Sequence, residues 1–374
     1  MDSEILQTRK DTRTEYKLSD NWKKALFDFL TVQFSNEPSD NVVILSDTNV
    51  WDHYGVEIES LLHRMDKNIL PLLLKPGEGS KDFRNLSDCI EQLIQHQIQR
   101  RDLLICMGGG VCCDFGGLLA LLYMRGMHYI LIPTTLMALI DASIGGKVGA
   151  NWSMRKNLLG GFYHPLLVIM APGFLQTLPE KHFKNALAEA VKIAIITHDI
   201  GLLDILEKEY NRLLNLDRDL IKKLIEFCLK WKLELLKSDP YEYDLNRVLN
   251  LGHAIAHSLE GVYLAEDDIK LLHGEAVSIG LAACIRFSYK NGYCTKERAS
   301  RLLRILQNLD LPIEPLNGRE HKALINNLVS RIPEHRGGAF RLVIPVADQG
   351  VDIVASINTE ALVECIFKIP ELGI

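Results

Sequence analysis

The feature that most constrains this chain is a change of hydrophobic period along it. In the first part, short apolar runs at residues 42–45, 69–74, 103–107 and 129–132 alternate with longer amphipathic stretches at 21–34 and 85–99. Runs of that length, rich in Leu, Ile and Val, read as buried strands, and the stretches between them as helices. Strand and helix patterns in alternation predict a parallel sheet covered by helices on both faces. Prolines and glycines cluster between residues 145 and 179, and after Pro179 the pattern becomes helical. Residues 183–197, 217–236, 245–259, 274–289 and 296–309 space their apolar residues three and four apart, and a short strand at 341–345 and a last helix at 359–367 follow. The 374 residues therefore divide into two domains, 1–170 and 171–374.

Composition narrows the class of partner. Acidic residues number 48 against 42 basic ones, a net charge of −6, which argues against a nucleic-acid partner but allows a local cationic pocket. The first seventeen residues are polar, and the longest apolar run, 118–124, stops at Arg125, so no secretory leader and no membrane span are expected. The eight cysteines are scattered without a Cys-x-x-Cys pair and read as reduced thiols of a cytoplasmic protein.

Three regions carry candidate chemistry. Gly108, Gly109 and Gly110 lie between a predicted strand and a predicted helix, where the backbone can approach a phosphate, although a tight structural turn explains the glycines as well. Thr134 and Thr135 follow the next strand and place hydroxyls at the same sheet edge. Asp141, Ser143, Lys147, Asn151, Lys156 and Asn157 crowd a glycine-rich segment, and with Arg125 upstream its cations suit a phosphorylated substrate; a solvated loop is the plainer reading. Glu189 and Lys192 share a helix face, which alone suggests a surface ion pair. His253 and His257 are four apart on a predicted helix, a spacing that can reach one metal, and His273 opens the next helix. Lone histidines on apolar helices are more often satisfied core residues.

The sequence resembles the sugar phosphate cyclases, of which 3-dehydroquinate synthase is the best-known type. The motifs are Gly-Gly-Gly-Val-Cys-Cys-Asp at 108–114, Tyr-Met-Arg-Gly at 123–126, Pro-Thr-Thr-Leu at 133–136 and Asp-Ala-Ser-Ile-Gly-Gly-Lys at 141–147. Lys-Asn-Leu-Leu-Gly at 156–160, Leu-Ala-Glu-Ala-Val-Lys at 187–192, Asn-Leu-Gly-His at 250–253 and His-Gly-Glu-Ala-Val at 273–277 continue the series. The resemblance spans roughly residues 42 to 345. It implies an α/β fold with a Rossmann-like, NAD-binding amino-terminal domain, a mostly α-helical carboxyl-terminal domain, a zinc ion between them (cobalt being a possible substitute) and a homodimer. Matched by position, it implies Glu189, His253 and His273 as metal ligands, which moves His257 from the metal to the substrate phosphate. It implies Arg125, Lys147 and Asn157 at that phosphate, and Asp141, Lys192 and Asn250 at substrate hydroxyls, with Lys232 also matching the family's site. Asp47, Asn49, Glu78, Lys81, Gly109, Gly110, Asp114, Thr134, Thr135 and Lys156 match its NAD positions. The implied activity is a lyase reaction: transient oxidation by NAD, phosphate elimination, reduction, and intramolecular aldol closure of a seven-carbon sugar phosphate.

The sequence departs from the dehydroquinate pattern where a substrate carboxylate would be bound. Asn246 stands at the arginine position, with Arg247 beside it, and Pro333 stands near an expected lysine, before His-Arg-Gly-Gly at 335–338. Losing two cations disfavours a carboxylate and resembles the valiolone-type cyclases, which act on sedoheptulose 7-phosphate. Lys232, Asn250 and His257 match the dehydroquinate enzyme instead. A metal-dependent polyol or alcohol dehydrogenase is the competing enzyme reading, and a catalytically silent binding subunit the competing non-enzyme one.

Overall fold

The protein is described here by a computed structural model covering residues 13–33, 40–153, 155–244, 247–263, 271–315, 341–347, 349–355, 357–367 and 372. Its first part follows the predicted alternation: β1 (Glu15–Leu18), α1 (Trp22–Gln33), β2 (Asn41–Asp47), α2 (Thr48–His63), β3 (Asn68–Leu74), α3 (Arg84–Gln95), β4 (Leu103–Gly108), α4 (Gly110–Leu122) and β5 (His128–Pro133). The glycine-rich stretch left unassigned from sequence holds the hairpin β6 (Lys147–Trp152) and β7 (Arg155–Phe162), followed by β8 (Leu167–Met170). Six strands form one sheet in the order β1-β8-β5-β4-β2-β3, with every pairing parallel. All six residues of β4 are buried, as expected for a strand covered on both faces. On one face, Leu26 and Phe29 of α1 and Ile58 and Leu62 of α2 pack against Ile44, Ile105, Ile130 and Ile169 of the sheet.

The winding places the candidate chemistry. The chain passes from β2 outward to β3, then returns to the other side of β2 for β4. Neighbouring connections leave the sheet in opposite directions at that point, which opens a crevice at the carboxyl ends of β2 and β4. Asp47 ends β2, Gly108 ends β4, and Thr134 follows β5.

The second part is helical: α5 (Glu180–Thr197), α6 (Ile200–Lys208), α7 (Tyr210–Leu214), α8 (Arg218–Leu236), α9 (His253–Tyr263), α10 (His273–Lys290) and α11 (Lys296–Asn308). A two-stranded antiparallel ribbon, β9 (Arg341–Pro345) with β10 (Val351–Ala355), and α12 (Thr359–Ile366) complete it. Residues 185–196 of α5 are buried without interruption, as are residues 276–288 of α10, so both helices are enclosed on every side rather than along one stripe. The helix expected at 245–259 is shorter than its pattern. The chain forms a single turn at Val248–Asn250, and α9 starts at His253. Gly252 is the reason: its φ of +77° breaks the helix, and a β-carbon there would lie 3.0 Å from the Leu281 amide nitrogen.

By contacts the chain separates into two compact units, residues 1–134 with 145–174, and residues 135–144 with 175–374. A single cut near 170 misses the excursion at 135–144. Leu136, Leu139 and Ile140 are buried there, and the π-helical turn Ala138–Ala142 carries Asp141 into the helical unit. All eight cysteines are buried and unpaired, and burial raises the thiol of each of them. Among the described residues, no helix is long and apolar enough to cross a membrane.

Candidate active site

In the helical unit, the centre of α5 and the starts of α9 and α10 bring Glu189, His253 and His273 together. One donor atom from each lies within 4.8 Å of the others. Both imidazole Nε2 atoms face Glu189 Oε1, at 3.4 Å from His253 and 3.6 Å from His273. The opposite ring nitrogens are engaged elsewhere: His253 Nδ1 lies 3.1 Å from the Leu251 carbonyl oxygen, and His273 Nδ1 lies 3.3 Å from Glu260 Oε1. A proton held on Nδ1 leaves the Nε2 lone pair directed at the shared centre, the tautomer that a metal ligand needs. Glu189 is fully buried, and its Oε1, which faces both imidazoles, has no hydrogen-bond partner. A carboxylate oxygen in that condition beside two imidazoles suits a divalent cation such as zinc. Burial opposes a charge on His273, but the Glu189 and Glu260 carboxylates outweigh it and raise the imidazole to about 10. A bound cation would replace that proton.

The sequence expectation of a surface ion pair fails for Glu189 and Lys192. The Lys192 ammonium lies 2.5 Å from Glu189 Oε2, and its side chain is 4% exposed. Lys232 of α8, also buried, donates to both the Asp141 carbonyl, at 2.6 Å, and the Asp141 carboxylate, at 2.5 Å. It thereby pins the π-helical turn to α8. Burial would neutralise Asp141, Lys192 and Glu189, but each is kept charged by its neighbours. Lys232 and Lys192 hold Asp141 below its ordinary value against burial and the Glu189 charge. Glu189, helped by Asp141, raises Lys192. Lys192 and His253 hold Glu189 well down. His257 stands beside the triad, its ring centroid 5.6 Å from that of His253 and 6.5 Å from that of His273, without joining the group of donors. Asn250 sits half-buried on the turn before α9.

In the sheet unit, Gly109 caps the N-terminus of α4 directly after β4, so the strand–glycine–helix order read from sequence is present. Thr134 donates its backbone amide to the Gly108 carbonyl at 2.9 Å, while its buried hydroxyl has no partner. That orphaned hydroxyl beside the α4 N-terminus fits a dinucleotide phosphate or ribose. Thr135, the first residue of the excursion into the helical unit, accepts through its Oγ from the Ala138 amide at 3.2 Å. Asp47 N-caps α2, its Oδ1 accepting from the Val50 amide at 3.1 Å, and Asn49 is exposed in the first turn of that helix. Buried Lys81 donates to both Asp114 and Asn157. Glu78 accepts from Asn151 at 2.8 Å, and the Asn151 carbonyl oxygen of the amide side chain accepts from the Asn157 backbone at 2.9 Å. Asn157, expected with the phosphate cations, thus shares hydrogen bonds with residues expected at NAD. Lys156 lies half-buried on β7, Lys147 opens β6 exposed, and Arg125 is exposed on a left-handed turn.

Comparison with known proteins agrees with this layout. A family model described as 3-dehydroquinate synthase N-terminal matches residues 71–185, and one described as 3-dehydroquinate synthase C-terminal matches residues 186–330. A 2-epi-valiolone synthase of Stigmatella aurantiaca is 37% identical over 324 residues, covering 84% of this chain and 78% of that protein. The chain belongs to the 3-dehydroquinate synthase family. It is a sugar phosphate cyclase in that sense, an enzyme of the lyase type. A 3-dehydroquinate synthase of Solibacter usitatus is 33% identical over 335 residues, covering 89% of this chain and 91% of that protein. Among solved structures, a 2-epi-5-epi-valiolone synthase from Streptomyces hygroscopicus subsp. jinggangensis 5008, with NAD+ and Zn2+ bound, superposes with a TM-score of 0.87 at 27% identity, covering 99% of both chains.

Within this cyclase, sequence reasoning missed two carboxylates. Glu260 is buried on α9 and supports His273. Its position, seven residues after His253 and three after His257, puts it on the same helix face, a signal available in the sequence. Glu242 pairs with Arg247 Nη1, and Arg247 Nε also donates to the Asp244 carbonyl at 2.7 Å. No periodicity announces that pair, because it forms within a loop. Asn246, Pro333 and the His-Arg-Gly-Gly stretch at 335–338 lie outside the described residues.

Proposed function

We propose that this protein uses NAD and zinc to cyclise a seven-carbon sugar phosphate that lacks a carboxylate, sedoheptulose 7-phosphate in the manner of a valiolone-type synthase. The reaction would release phosphate and close a carbocycle by an aldol step, with no net redox change. The observation that carries the reading is the set of buried Glu189 with half-buried His253 and His273, joined to the Lys192 and Asp141–Lys232 pairs. When bound, NAD supplies reversible hydride acceptance and zinc supplies Lewis acidity toward a hydroxyl oxygen. Glu189, His253 and His273 are the zinc ligands in this reading, and Glu260 fixes the His273 ring. Gly109, Gly110, Thr134, Asp114 and Lys81 hold NAD, with Asp47, Asn49, Glu78, Thr135 and Lys156 at its edges. Arg125 and Lys147 hold the substrate phosphate, with His257 and Asn157 contributing. Asp141, Lys192, Lys232 and Asn250 orient ring hydroxyls, and their mutual pairing keeps each charge in place through several steps, so that positioning is their main contribution.

The lean away from a carboxylate rests on Arg247. Its guanidinium is already matched by Glu242 and the Asp244 carbonyl, so recruiting it to a second carboxylate would break that pair. Lys232, Asn250 and His257 favour the alternative, a 3-dehydroquinate synthase of the shikimate pathway. Assaying phosphate release from sedoheptulose 7-phosphate and from 3-deoxy-arabino-heptulosonate 7-phosphate, with NAD and zinc supplied, decides between them. Release from the first without NADH accumulation is expected. Preference for the second would establish the dehydroquinate reading, and net NADH formation from an unphosphorylated polyol would establish a dehydrogenase.

A further inference from the structure

The sheet unit holds two left-handed turns that carry the proposed phosphate cations, and one tyrosine is tied to both. The first is the turn Met124–Arg125–Gly126, whose φ angles of 48°, 63° and 111° are all left-handed. Two consecutive non-glycine residues there persist only where surrounding contacts hold them. The second is Gly145–Gly146, with φ of 102° and 70°, which leads directly into Lys147. Tyr163 follows β7. Its hydroxyl donates to the Met127 carbonyl at 3.0 Å, at the foot of the first turn. Its backbone amide donates to the Gly146 carbonyl at 2.7 Å, in the second turn. Tyr129 stacks on the Tyr163 ring at a centroid distance of 5.5 Å, and its hydroxyl donates to the Tyr163 carbonyl. Gly126 closes against the same side chain: a β-carbon there would lie 2.9 Å from the Tyr163 hydroxyl oxygen. Arg100 Nε holds the Gly126 carbonyl at 3.0 Å, and the Tyr16 hydroxyl accepts from the Gly145 amide at 3.2 Å.

We propose that Tyr163 is a positioning residue for substrate phosphate, setting the Arg125 turn and the Lys147 turn in one register without touching the ligand. The inference rests on the reading of Arg125 and Lys147 as the phosphate cations. A residue tied by its hydroxyl to one turn and by its backbone amide to the other holds two charges at a set separation more firmly than two independent loops would, and a phosphate bound by two cations is sensitive to that separation. The ring packing of Tyr163 against Tyr129 would survive as phenylalanine.

The test measures binding of inorganic phosphate and of NAD+, each alone, to the full-length protein and to Tyr163→Phe and Arg125→Ala. Tyr163→Phe is expected to weaken phosphate by about 5–10-fold, the loss of roughly one hydrogen bond's positioning, while NAD+ affinity stays within about twofold. In an Arg125→Ala background the same substitution should lose most of its effect, because Tyr163 acts through that turn. Unchanged phosphate affinity in Tyr163→Phe, or a parallel loss of NAD+ affinity that signals general loosening of the unit, overturns the inference. If Arg125→Ala itself leaves phosphate binding intact, the reading of Arg125 is what has failed, and the inference goes with it. Should Tyr163→Phe not fold, Tyr129→Phe, which frees the Tyr163 carbonyl, is expected to weaken phosphate selectively in the same direction, and a null result there is equally decisive.

Discussion

The helical unit and the sheet unit build their candidate sites by different means. In the helical unit the groups are ionisable side chains on four helices and a π-helical turn, buried or half-buried and matched charge against charge: Glu189 with Lys192, Asp141 with Lys232, His273 with Glu260. In the sheet unit much of the site is backbone, glycine turns and helix ends at the carboxyl edge of the strands, with side chains such as Arg125 and Lys147 exposed. The difference follows from dielectric. A buried charge is tolerated only when a neighbour compensates it, so charges deep in a helix bundle come in sets. A phosphate at a strand edge can be met by amides that need no compensation. The helical site should therefore fail as a unit when one member is changed, and the sheet site should fail by degrees.

Glu189→Gln is the largest test of that contrast. It removes a proposed metal ligand and leaves Lys192 buried without its carboxylate. Zinc content measured by elemental analysis should fall to background, and turnover should fall by roughly 10³-fold or more. Retention of stoichiometric zinc would break the comparison at its root. Lys232→Met comes next. Breaking a buried pair from one side should cost about 3 kcal/mol in urea unfolding. The sign with pH is determined by Asp141. Its carboxyl titrates below the ordinary value, so its contribution is complete above about pH 4 and is lost as the pH falls through the depressed value. Without Lys232 that depression shrinks, and acid unfolding should begin at higher pH; an unchanged acid limb would show that Asp141 does not depend on Lys232. Glu260→Gln should keep the fold but weaken zinc by roughly 10–100-fold in a chelator competition, as loss of a ligand's supporting carboxylate typically does. Thr134→Val is the smallest and belongs to the sheet unit. Removing a buried hydroxyl without a partner should leave the protein as stable or about 1 kcal/mol more stable, while NAD+ binds about tenfold more weakly. Equal NAD+ affinity would mean that the hydroxyl is orphaned for some other reason.

Much of the fold was legible because its signals are local. The runs at 42–45, 69–74, 103–107 and 129–132 became β2, β3, β4 and β5 with ends shifted by a residue or two. The misses have physical causes. The β6–β7 hairpin hid in a glycine-rich stretch because glycine carries no period. The helix pattern at 245–259 continued through Gly252, whose left-handed φ is imposed by the approach of α10. The excursion of residues 135–144 into the helical unit has no local signal, since an apolar run does not say which core it enters.

The candidate site divides along the same line. Spacing marked His253 and His257, with His273 on the next helix, and the resemblance supplied Glu189 and took His257 out of the candidate set, because three residues spread over 85 positions of chain have no period of their own. The order of strands and helices, the glycine turn after β4 and the cations near residue 147 were determined by sequence alone, since each depends on neighbours a few positions away. Tertiary structure decided that Lys192 is buried rather than exposed, that Lys232 pins Asp141, that Glu260 supports His273 and that Arg247 is matched by Glu242. Two of those pairings set a charge on one helix or turn against a charge on another, one joins successive turns of α5, and the fourth closes a loop. Whether a charge is neutralised in that way depends on burial and on what the fold packs beside it.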